Sequence, residues 1–202
     1  MTDSIDSAAS ALKAGELVVF PTETFYAIGA DPAQPKALDR LLRVKGREPD
    51  KPIALIAANS DAAFSLAREI PLGARLLAER FWPGPLTLVL PARPGLNESL
   101  VGPSGGVGVR VSSEPIAVRL AAAAGGLITA TSANLSGQPA ARTVAQARQS
   151  FGGTINVYID GGLLGANAPS TILEFAPDGS WRLLRRGAVD ENQIADALRL
   201  SR

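Results

Sequence analysis

The sequence of 202 residues contains neither cysteine nor histidine. Without cysteine, the chain can form no disulfide framework and no thiolate metal site. Without histidine, it lacks the commonest general base and the commonest metal ligand, which excludes Ser-His-Asp and Cys-His mechanisms. An enzyme made from this chain would therefore work with arginine, lysine, carboxylates, hydroxyls and the backbone.

Long apolar runs and a strong net charge are also missing. The most apolar segment, 117–130, is interrupted by Arg119 and two glycines, so it cannot form a membrane span. The first ten residues, MTDSIDSAAS, lack the basic start and apolar stretch of a secretory signal. These features predict a cytoplasmic protein without membrane contact. The net charge of +1 argues against a protein that coats nucleic acid.

Apolar residues make up 46% of the chain, which is enough for a buried core. Short apolar stretches, expected to be strands, lie at 16–20, 52–57, 85–90, 107–111, 127–131, 154–160, 170–175 and 181–185. Amphipathic segments, expected to be helices, begin near residues 4, 35, 61, 72, 113, 143 and 191, with caps at Asp61, Ser113 and Asp190 among others. Because some strands follow one another directly, the pattern predicts a single α/β (α+β) domain over 1–202 with a mixed sheet flanked by helices. The long Gly/Pro/Ser-rich loop 91–106 is a candidate lid.

Polar side chains follow several of these apolar strands or the helices between them. The clusters are Thr22-Glu23-Thr24 with Tyr26, Lys45-Gly46-Arg47 with Lys51, Arg110 in VGVRV, Thr131 to Asn134, Ser170-Thr171, and Arg185-Arg186. In open α/β sheets, ligands bind at one rim where strand ends and helix starts converge. If the clusters share that rim, they form an anion site for phosphates and carboxylates.

Simpler interpretations remain open for most clusters. The helix dipole alone favours Lys45 and Arg47 at a helix end, and 131–134 could be turn chemistry. Arg110 lies among Val107, Val109 and Val111 and is interpreted as facing the interior with them, so its guanidinium should need an anionic partner or a ligand. Glu23 could serve as a general base, although a hydrogen bond at the strand end is the simpler role. No Asp/Glu pair has metal-site spacing, and no Walker A or GxGxxG motif occurs.

The segment PTETFYAIG resembles the PTETxYGLG signature of the threonylcarbamoyl-AMP synthase (YrdC-like) family. Later blocks resemble that family in the same order: LLRVKGREPDKPIAL, FWPGPLTLVL, VGVRVSSEP, TSANLSGQPA, PSTIL and LLRRGAV. The resemblance runs from about residue 15 to about residue 194 and is closest to the short, single-domain form.

This resemblance implies an L-threonylcarbamoyladenylate synthase, a nucleotidyltransferase. Such an enzyme makes threonylcarbamoyl-AMP and pyrophosphate from L-threonine, bicarbonate and ATP, with Mg²⁺. A separate transferase complex then uses the product to form threonylcarbamoyladenosine in tRNA, so contacts with tRNA and with that complex are expected. The family fold is a twisted mixed sheet flanked by helices around a large basic cavity.

The resemblance also assigns roles residue by residue. The ATP-binding positions are Lys45, Arg47, Lys51, Ser132, Asn134 and Arg185, and Lys45 and Arg47 are also the catalytic pair. The threonine-binding positions are Thr24, Tyr26, Arg110 and Ser170, with the backbone near Ala130. The chain departs from the family pattern at Ala27, where glycine is usual, at Gly106, where threonine is common, and at Ala140, where serine is common.

Gly106 and Ala140 leave a degenerate non-enzyme open as an alternative, and two other functions remain besides it. One is an RNA-binding module, which the low net charge and the 5% aromatic content disfavour. The other is a carbamoyl-transfer domain of the hydrogenase-maturation type, which shares these motifs within much longer chains. Dependence on carbamoyl phosphate instead of threonine would identify the latter.

Overall fold

The computed structural model describes residues 3–46, 52–165 and 168–199. The helices in these ranges are α1 (Ile5–Lys13), α2 (Pro35–Lys45), α3 (Ser60–Phe64), α4 (Leu72–Phe81), α5 (Pro115–Ala123), α6 (Val144–Phe151) and α7 (Glu191–Arg199). The strands are β1 (Val18–Phe20), β2 (Ala27–Gly29), β3 (Leu55–Ala57), β4 (Leu86–Pro91), β5 (Gly106–Arg110), β6 (Leu127–Thr129), β7 (Thr131–Ser132), β8 (Val157–Tyr158), β9 (Thr171–Phe175) and β10 (Trp181–Arg185). No helix within the described ranges is long and apolar enough to cross a membrane.

The strands form two mixed sheets. The larger sheet has six strands in the order β10-β9-β4-β5-β3-β6, with parallel pairs β4–β9 and β3–β5. The smaller sheet has the order β7-β2-β1-β8 and contains one parallel pair, β1–β8. The predicted α/β class with mixed pairing is confirmed. The second sheet was not predicted, because β2 and β7 have only three and two residues and show no periodic pattern.

The segment 127–132 passes from one sheet to the other. Residues 127–131 were predicted as one strand, but Ile128 pairs with Ile56 of the large sheet while Thr131 pairs with Ile28 of the small sheet. The change occurs at Ala130, between β6 and β7. A continuous stretch of chain therefore connects the two sheets, and the polar residues 131–134 lie directly after this connection.

Two apolar clusters hold the elements together. The larger one includes Leu38 and Leu41 of α2 packed with Leu55, Leu88 and Val109 of the large sheet, all fully buried. The smaller one packs Ala8 and Leu12 of α1 with Leu120 of α5, Ile56 of β3 and Val18 of β1. Burial of this apolar area is the main favourable term for the fold.

Some predicted boundaries are wrong for local physical reasons. Helix α3 ends at Phe64, not near Ile70, because the chain turns so that Ala67 can form a β-bridge with Ala92. The cap of α3 is Asn59, whose Oδ1 accepts the Ala62 N–H at 2.8 Å. The cap of α5 is likewise Glu114, not Ser113. Strand β8 is shorter than predicted because 152–154 forms a 3₁₀ turn.

Candidate functional site

A cavity of about 310 Å³ opens where the two sheets meet. Its wall combines the turn between β1 and β2, the last residue of α2, and β7 with the loop that follows it. The large sheet contributes Thr87, Arg110, Ile172 and Arg185. All eight predicted site residues that the structure describes line this cavity, namely Thr24, Tyr26, Lys45, Arg110, Ser132, Asn134, Ser170 and Arg185. Arg47 and Lys51 lie outside the described residues.

The Thr22–Thr24 turn fixes the direction of one hydroxyl in the wall. Thr22 Oγ1 donates its single proton to the Phe25 carbonyl oxygen at 2.7 Å. The contact of 3.0 Å between Thr22 Oγ1 and Thr24 Oγ1 must therefore have Thr24 as its donor. Thr24 thus has its proton engaged within the turn, and its oxygen lone pairs remain for a donor in the cavity. Thr22, which was not among the predicted site residues, therefore fixes the direction of the hydrogen bond from Thr24.

Arg110 forms a buried ion pair with Glu23. Its Nε donates to Glu23 Oε1 at 2.9 Å, and the two side chains are only 8% and 10% exposed. The second Glu23 oxygen accepts a short hydrogen bond from the Ser112 hydroxyl. The expectation that Arg110 needs an anionic partner is confirmed, and that partner is Glu23. Within the described residues, the terminal nitrogens of Arg110 make no hydrogen bond, although Arg110 lines the cavity.

Arg185 and Ser170 form another part of the wall. Arg185 Nε and Nη2 donate to the Ser170 carbonyl oxygen at 3.0 and 2.8 Å, and Nη2 also donates to Ser170 Oγ at 3.0 Å. Ser170 Oγ lies 2.9 Å from Thr87 Oγ1, a buried threonine of β4 that the sequence analysis missed. Burial and the nearby Arg110 charge lower the pKa of the Arg185 guanidinium. A bound anion would relieve this repulsion between the two guanidinium groups.

Lys45 ends α2 with its ammonium group buried against β7. Its Nζ donates to the carbonyl oxygens of Ser132 and Asn134 at 2.5 and 2.6 Å, and approaches Asn134 Oδ1 at 3.3 Å. Asn134 Nδ2 in turn donates to the Gln138 carbonyl oxygen. Lys45 and Asn134 therefore shape the loop 134–138, two of whose residues, Ser136 and Gly137, line the cavity.

Tyr26 contributes its ring to the wall, while its hydroxyl is bonded to the turn at 160–162. That oxygen accepts the Gly161 N–H at 2.8 Å and lies within hydrogen-bonding distance of Asp160 Oδ1 and the Gly162 carbonyl oxygen. Burial, supported by Asp160, raises the pKa of Tyr26 to about 12. A neutral hydroxyl held in this way acts as a structural tie between the cavity wall and the turn.

Two of the three departures from the family pattern, Gly106 and Ala140, fall outside the cavity wall, whereas Ala27 lines the cavity beside Tyr26. A Cβ atom at Gly106 would lie 2.5 Å from Val89 Cγ1, so a side chain there requires Val89 to move. Ala140 lines a different hollow beside α6. The loop 91–106, predicted as a candidate lid, does not cover the site, since none of its residues belongs to the wall that the structure describes. Instead, its Ser104 hydroxyl bonds to Glu174 at a neighbouring groove.

Taken together, the wall carries the cations Lys45, Arg110 and Arg185, and no Asp or Glu belongs to the described part of it. Hydroxyls of Thr24, Thr87 and Ser170 lie among these cations. Such a site favours anions with several oxygen atoms, since guanidinium groups bind carboxylates and phosphates through charge-assisted hydrogen bonds. Within the described ranges, no three Asp, Glu, His or Cys side chains cluster in a metal-binding arrangement.

Residues 10–187 match the Sua5/YciO/YrdC family, which carries the description "Telomere recombination". The chain belongs to this family. It is 40% identical over 169 residues to a threonylcarbamoyl-AMP synthase of Methylococcus capsulatus, covering 83% of this chain and 90% of the relative. It is 38% identical over 189 residues to a threonylcarbamoyl-AMP synthase of Pyrococcus abyssi, covering 93% of this chain and 55% of the relative.

The fold is shared with a solved relative. The crystal structure of P. abyssi Sua5 complexed with L-threonine superimposes with a TM-score of 0.91 at 36% identity, covering 96% of this chain and 57% of that one. The chain thus spans just over half the length of the P. abyssi protein. The expected family fold, a mixed sheet flanked by helices, is confirmed by this match.

Proposed function

We propose that this chain is an L-threonylcarbamoyladenylate synthase. It joins L-threonine, bicarbonate and ATP into threonylcarbamoyl-AMP and pyrophosphate. The observation that carries the proposal is that the eight described candidate residues, widely separated in sequence, line one cavity. The part of its wall that the structure describes carries three cations and no carboxylate. The synthase names of relatives at about 40% identity support the same activity.

The amino-acid substrate is proposed to bind between Arg110, Thr24 and Ser170. The terminal nitrogens of Arg110 suit an α-carboxylate, because a guanidinium and a carboxylate form two parallel hydrogen bonds. Thr24, with its own proton engaged by Thr22, accepts a hydrogen bond from the hydroxyl or amine of threonine. The ring of Tyr26 closes this side of the pocket. The complex of P. abyssi Sua5 with L-threonine supports an amino-acid pocket in this fold.

ATP is proposed to place its phosphates near Lys45, Arg185 and the polar residues Ser132 and Asn134. Arg47 and Lys51, outside the described residues, are assigned to the same phosphates by resemblance alone. Mg²⁺ is proposed to enter as MgATP, because Mg²⁺ is commonly held by substrate phosphates with few protein ligands. The cations stabilise the charge that develops on the phosphate oxygens.

The chemistry then needs alignment more than an acid–base side chain. The threonine amine forms a bond to the bicarbonate carbon with loss of water, which gives a carbamate. A carbamate oxygen attacks the α-phosphorus of ATP, the bond from that phosphorus to the bridging oxygen breaks, and pyrophosphate leaves. Holding both reactants in one cavity lowers the entropic barrier to this step. The absence of histidine is compatible with such a mechanism.

The product is proposed to pass to a separate transferase complex that modifies tRNA, and contacts with that complex or with tRNA are expected. Because ATP and tRNA are the reactants of this sequence of reactions, we place the enzyme in the cytoplasm. We also propose that residues 1–202 act as one domain for the synthase reaction.

The direct test is incubation with MgATP, bicarbonate and ¹³C-labelled threonine, followed by mass spectrometry. The expected product carries the threonine label and an AMP group, and pyrophosphate appears in equal amount. Omission of bicarbonate provides the negative control, and Arg110→Lys should form the product only at much higher threonine concentrations. Arg40→Lys, at the partly exposed ion pair with Glu16, is the matched control. Wild-type protein that forms no threonine-dependent pyrophosphate would overturn the proposal.

The alternatives predict different results in the same assay. A carbamoyl-transfer domain would consume carbamoyl phosphate without threonine. An RNA-binding module would bind tRNA with strong salt dependence and release no pyrophosphate. The cavity, which presents cations from inside a wall instead of on an exposed stripe, favours a small anionic ligand over RNA.

A further inference from the structure

Glu23 is placed behind the cavity wall, not in it. Its Oε1 accepts the Arg110 Nε–H at 2.9 Å, and its Oε2 accepts the Ser112 hydroxyl. Ser112 Oγ also accepts the Glu114 N–H at 3.1 Å, where α5 begins. Both oxygens of the carboxylate are thus fixed by the same region, the end of β5 and the start of α5. Since Glu23 does not line the cavity, it can act on a ligand only through Arg110.

The bond to Nε decides which edge of the guanidinium can bind a ligand. A guanidinium can bind a carboxylate with two parallel bonds along its side edge, through Nε and one Nη, or along its end, through both Nη atoms. In this structure Glu23 occupies Nε, so the side edge is taken. The end, formed by Nη1 and Nη2, is the edge that Arg110 keeps for the cavity it lines.

We propose that Glu23 is a positioning residue that holds Arg110 in the end-on orientation required by the carboxylate of the amino-acid substrate. This inference rests on the proposed function. Arg185 lies on the same cavity, and the two guanidinium groups repel each other. Without Glu23, Arg110 loses both its tether and its counter-ion and can turn away from the position that the ligand needs. A pre-positioned side chain contributes to affinity because its ordering cost is met before the ligand binds.

Two substitutions separate orientation from charge. Glu23→Gln keeps an amide oxygen as an acceptor for the Nε–H but removes the negative charge. Glu23→Ala removes the acceptor and the charge together. If orientation is the function, glutamine restores most of what alanine loses. If Glu23 acted only by its charge, the two variants would behave alike.

The experiment measures threonine affinity by isothermal titration calorimetry and the KM values for threonine and MgATP. Glu23→Ala is expected to weaken threonine binding by about ten-fold or more, Glu23→Gln by less than about three-fold, and Ser112→Ala by an intermediate factor. The KM for MgATP should change by less than about two-fold, which a general loss of structure would not allow. Glu16→Ala, at the partly exposed ion pair with Arg40, is the matched control and should bind threonine like the wild type.

A second readout requires no substrate. The ¹⁵N NMR signal of the Arg110 Nε–H, identified by its loss in Arg110→Lys, should be protected from exchange in wild type and Glu23→Gln and exposed in Glu23→Ala. Equal protection in all three, or equal threonine affinity in wild type and Glu23→Ala, would overturn the inference. If Glu23→Ala does not fold, an unchanged threonine affinity in Ser112→Ala would overturn the inference in its place. Failure of wild type to bind threonine would overturn the proposed function, while the Nε–H signal still tests the positioning of Arg110.

Discussion

Replacing Arg110 by lysine is the most informative perturbation of the cavity. The substitution keeps a positive charge but removes the planar pair of terminal nitrogens that suits a carboxylate. Alanine would be a poorer choice, because it would leave the Glu23 carboxylate, 10% exposed, without its cationic partner. Removing one member of a buried ion pair commonly costs about 3–5 kcal/mol, so effects on folding and binding would be mixed.

The expected size of the Arg110→Lys effect follows from the contacts that are lost. One of two parallel charge-assisted hydrogen bonds to the carboxylate disappears, which costs about 1.5–3 kcal/mol. This corresponds to a rise in the KM for threonine of roughly 10- to 150-fold. The KM for ATP should change little, because the predicted phosphate contacts lie at Lys45 and Arg185.

The assay is threonine-dependent pyrophosphate release at saturating MgATP and bicarbonate, with thermal unfolding measured on the same samples. Arg40→Lys serves as the matched control, since Arg40 forms a partly exposed ion pair with Glu16 at 2.6 Å and does not line the cavity. A threonine KM within two-fold of wild type, with an unchanged melting temperature, would refute the assignment of Arg110 to the carboxylate.

Three further predictions concern the wall and its surroundings. Lys45→Met should lower turnover by about 100- to 1000-fold, because a cation near the phosphates is lost. It should also lower the free energy of unfolding by about 1–3 kcal/mol, since the Ser132 carbonyl oxygen loses its donor. Normal turnover, measured by pyrophosphate release, would contradict the role of Lys45. From pH 10 to 12 unfolded tyrosine loses its proton while folded Tyr26 loses its proton only near the top of this range. Wild type should therefore lose about 1–2 kcal/mol more stability than Tyr26→Phe in chemical denaturation, and parallel curves would refute the raised pKa. Gly106→Ala should cost about 1–3 kcal/mol through contact with Val89, and additivity with Val89→Ala in a double-mutant cycle would rule out that contact.

Long periodic segments of the fold were predictable from the sequence. Helix α4 covers the predicted residues Leu72–Phe81, and β10 covers the predicted residues Trp181–Arg185. Thr143 caps α6 as expected, through a bond from the Gln146 N–H. Each of these elements carries its own signal, either an apolar periodicity or a capping residue, so local information is sufficient.

The second sheet could not be predicted from local sequence patterns. Strand β2 follows a polar turn and β7 has two residues, so neither shows an alternating pattern. Their pairing depends on the long-range contact of Ala27 with Ser132. Whether such short segments form strands is determined by tertiary packing, which a local stretch of sequence does not show.

The sequence predicted which residues belong to the candidate site better than it predicted their hydrogen-bond partners. Most polar residues of the predicted clusters that the structure describes line one cavity, as expected for strand ends that share a rim, but Glu23, Thr171 and Arg186 do not. The need of Arg110 for an anion followed from its place among valines, but the partner, Glu23, lies 87 positions away. Thr87 was missed because one threonine within an apolar strand is compatible with an ordinary buried position.

The central claim is that one cavity holds threonine and a nucleotide together. A crystal structure with L-threonine and a non-hydrolysable ATP analogue tests it most directly. The account predicts the threonine carboxylate within about 3 Å of both Nη atoms of Arg110, and nucleotide phosphates beside Lys45 and Arg185. Threonine bound away from Arg110, or a nucleotide bound outside this cavity, would contradict it.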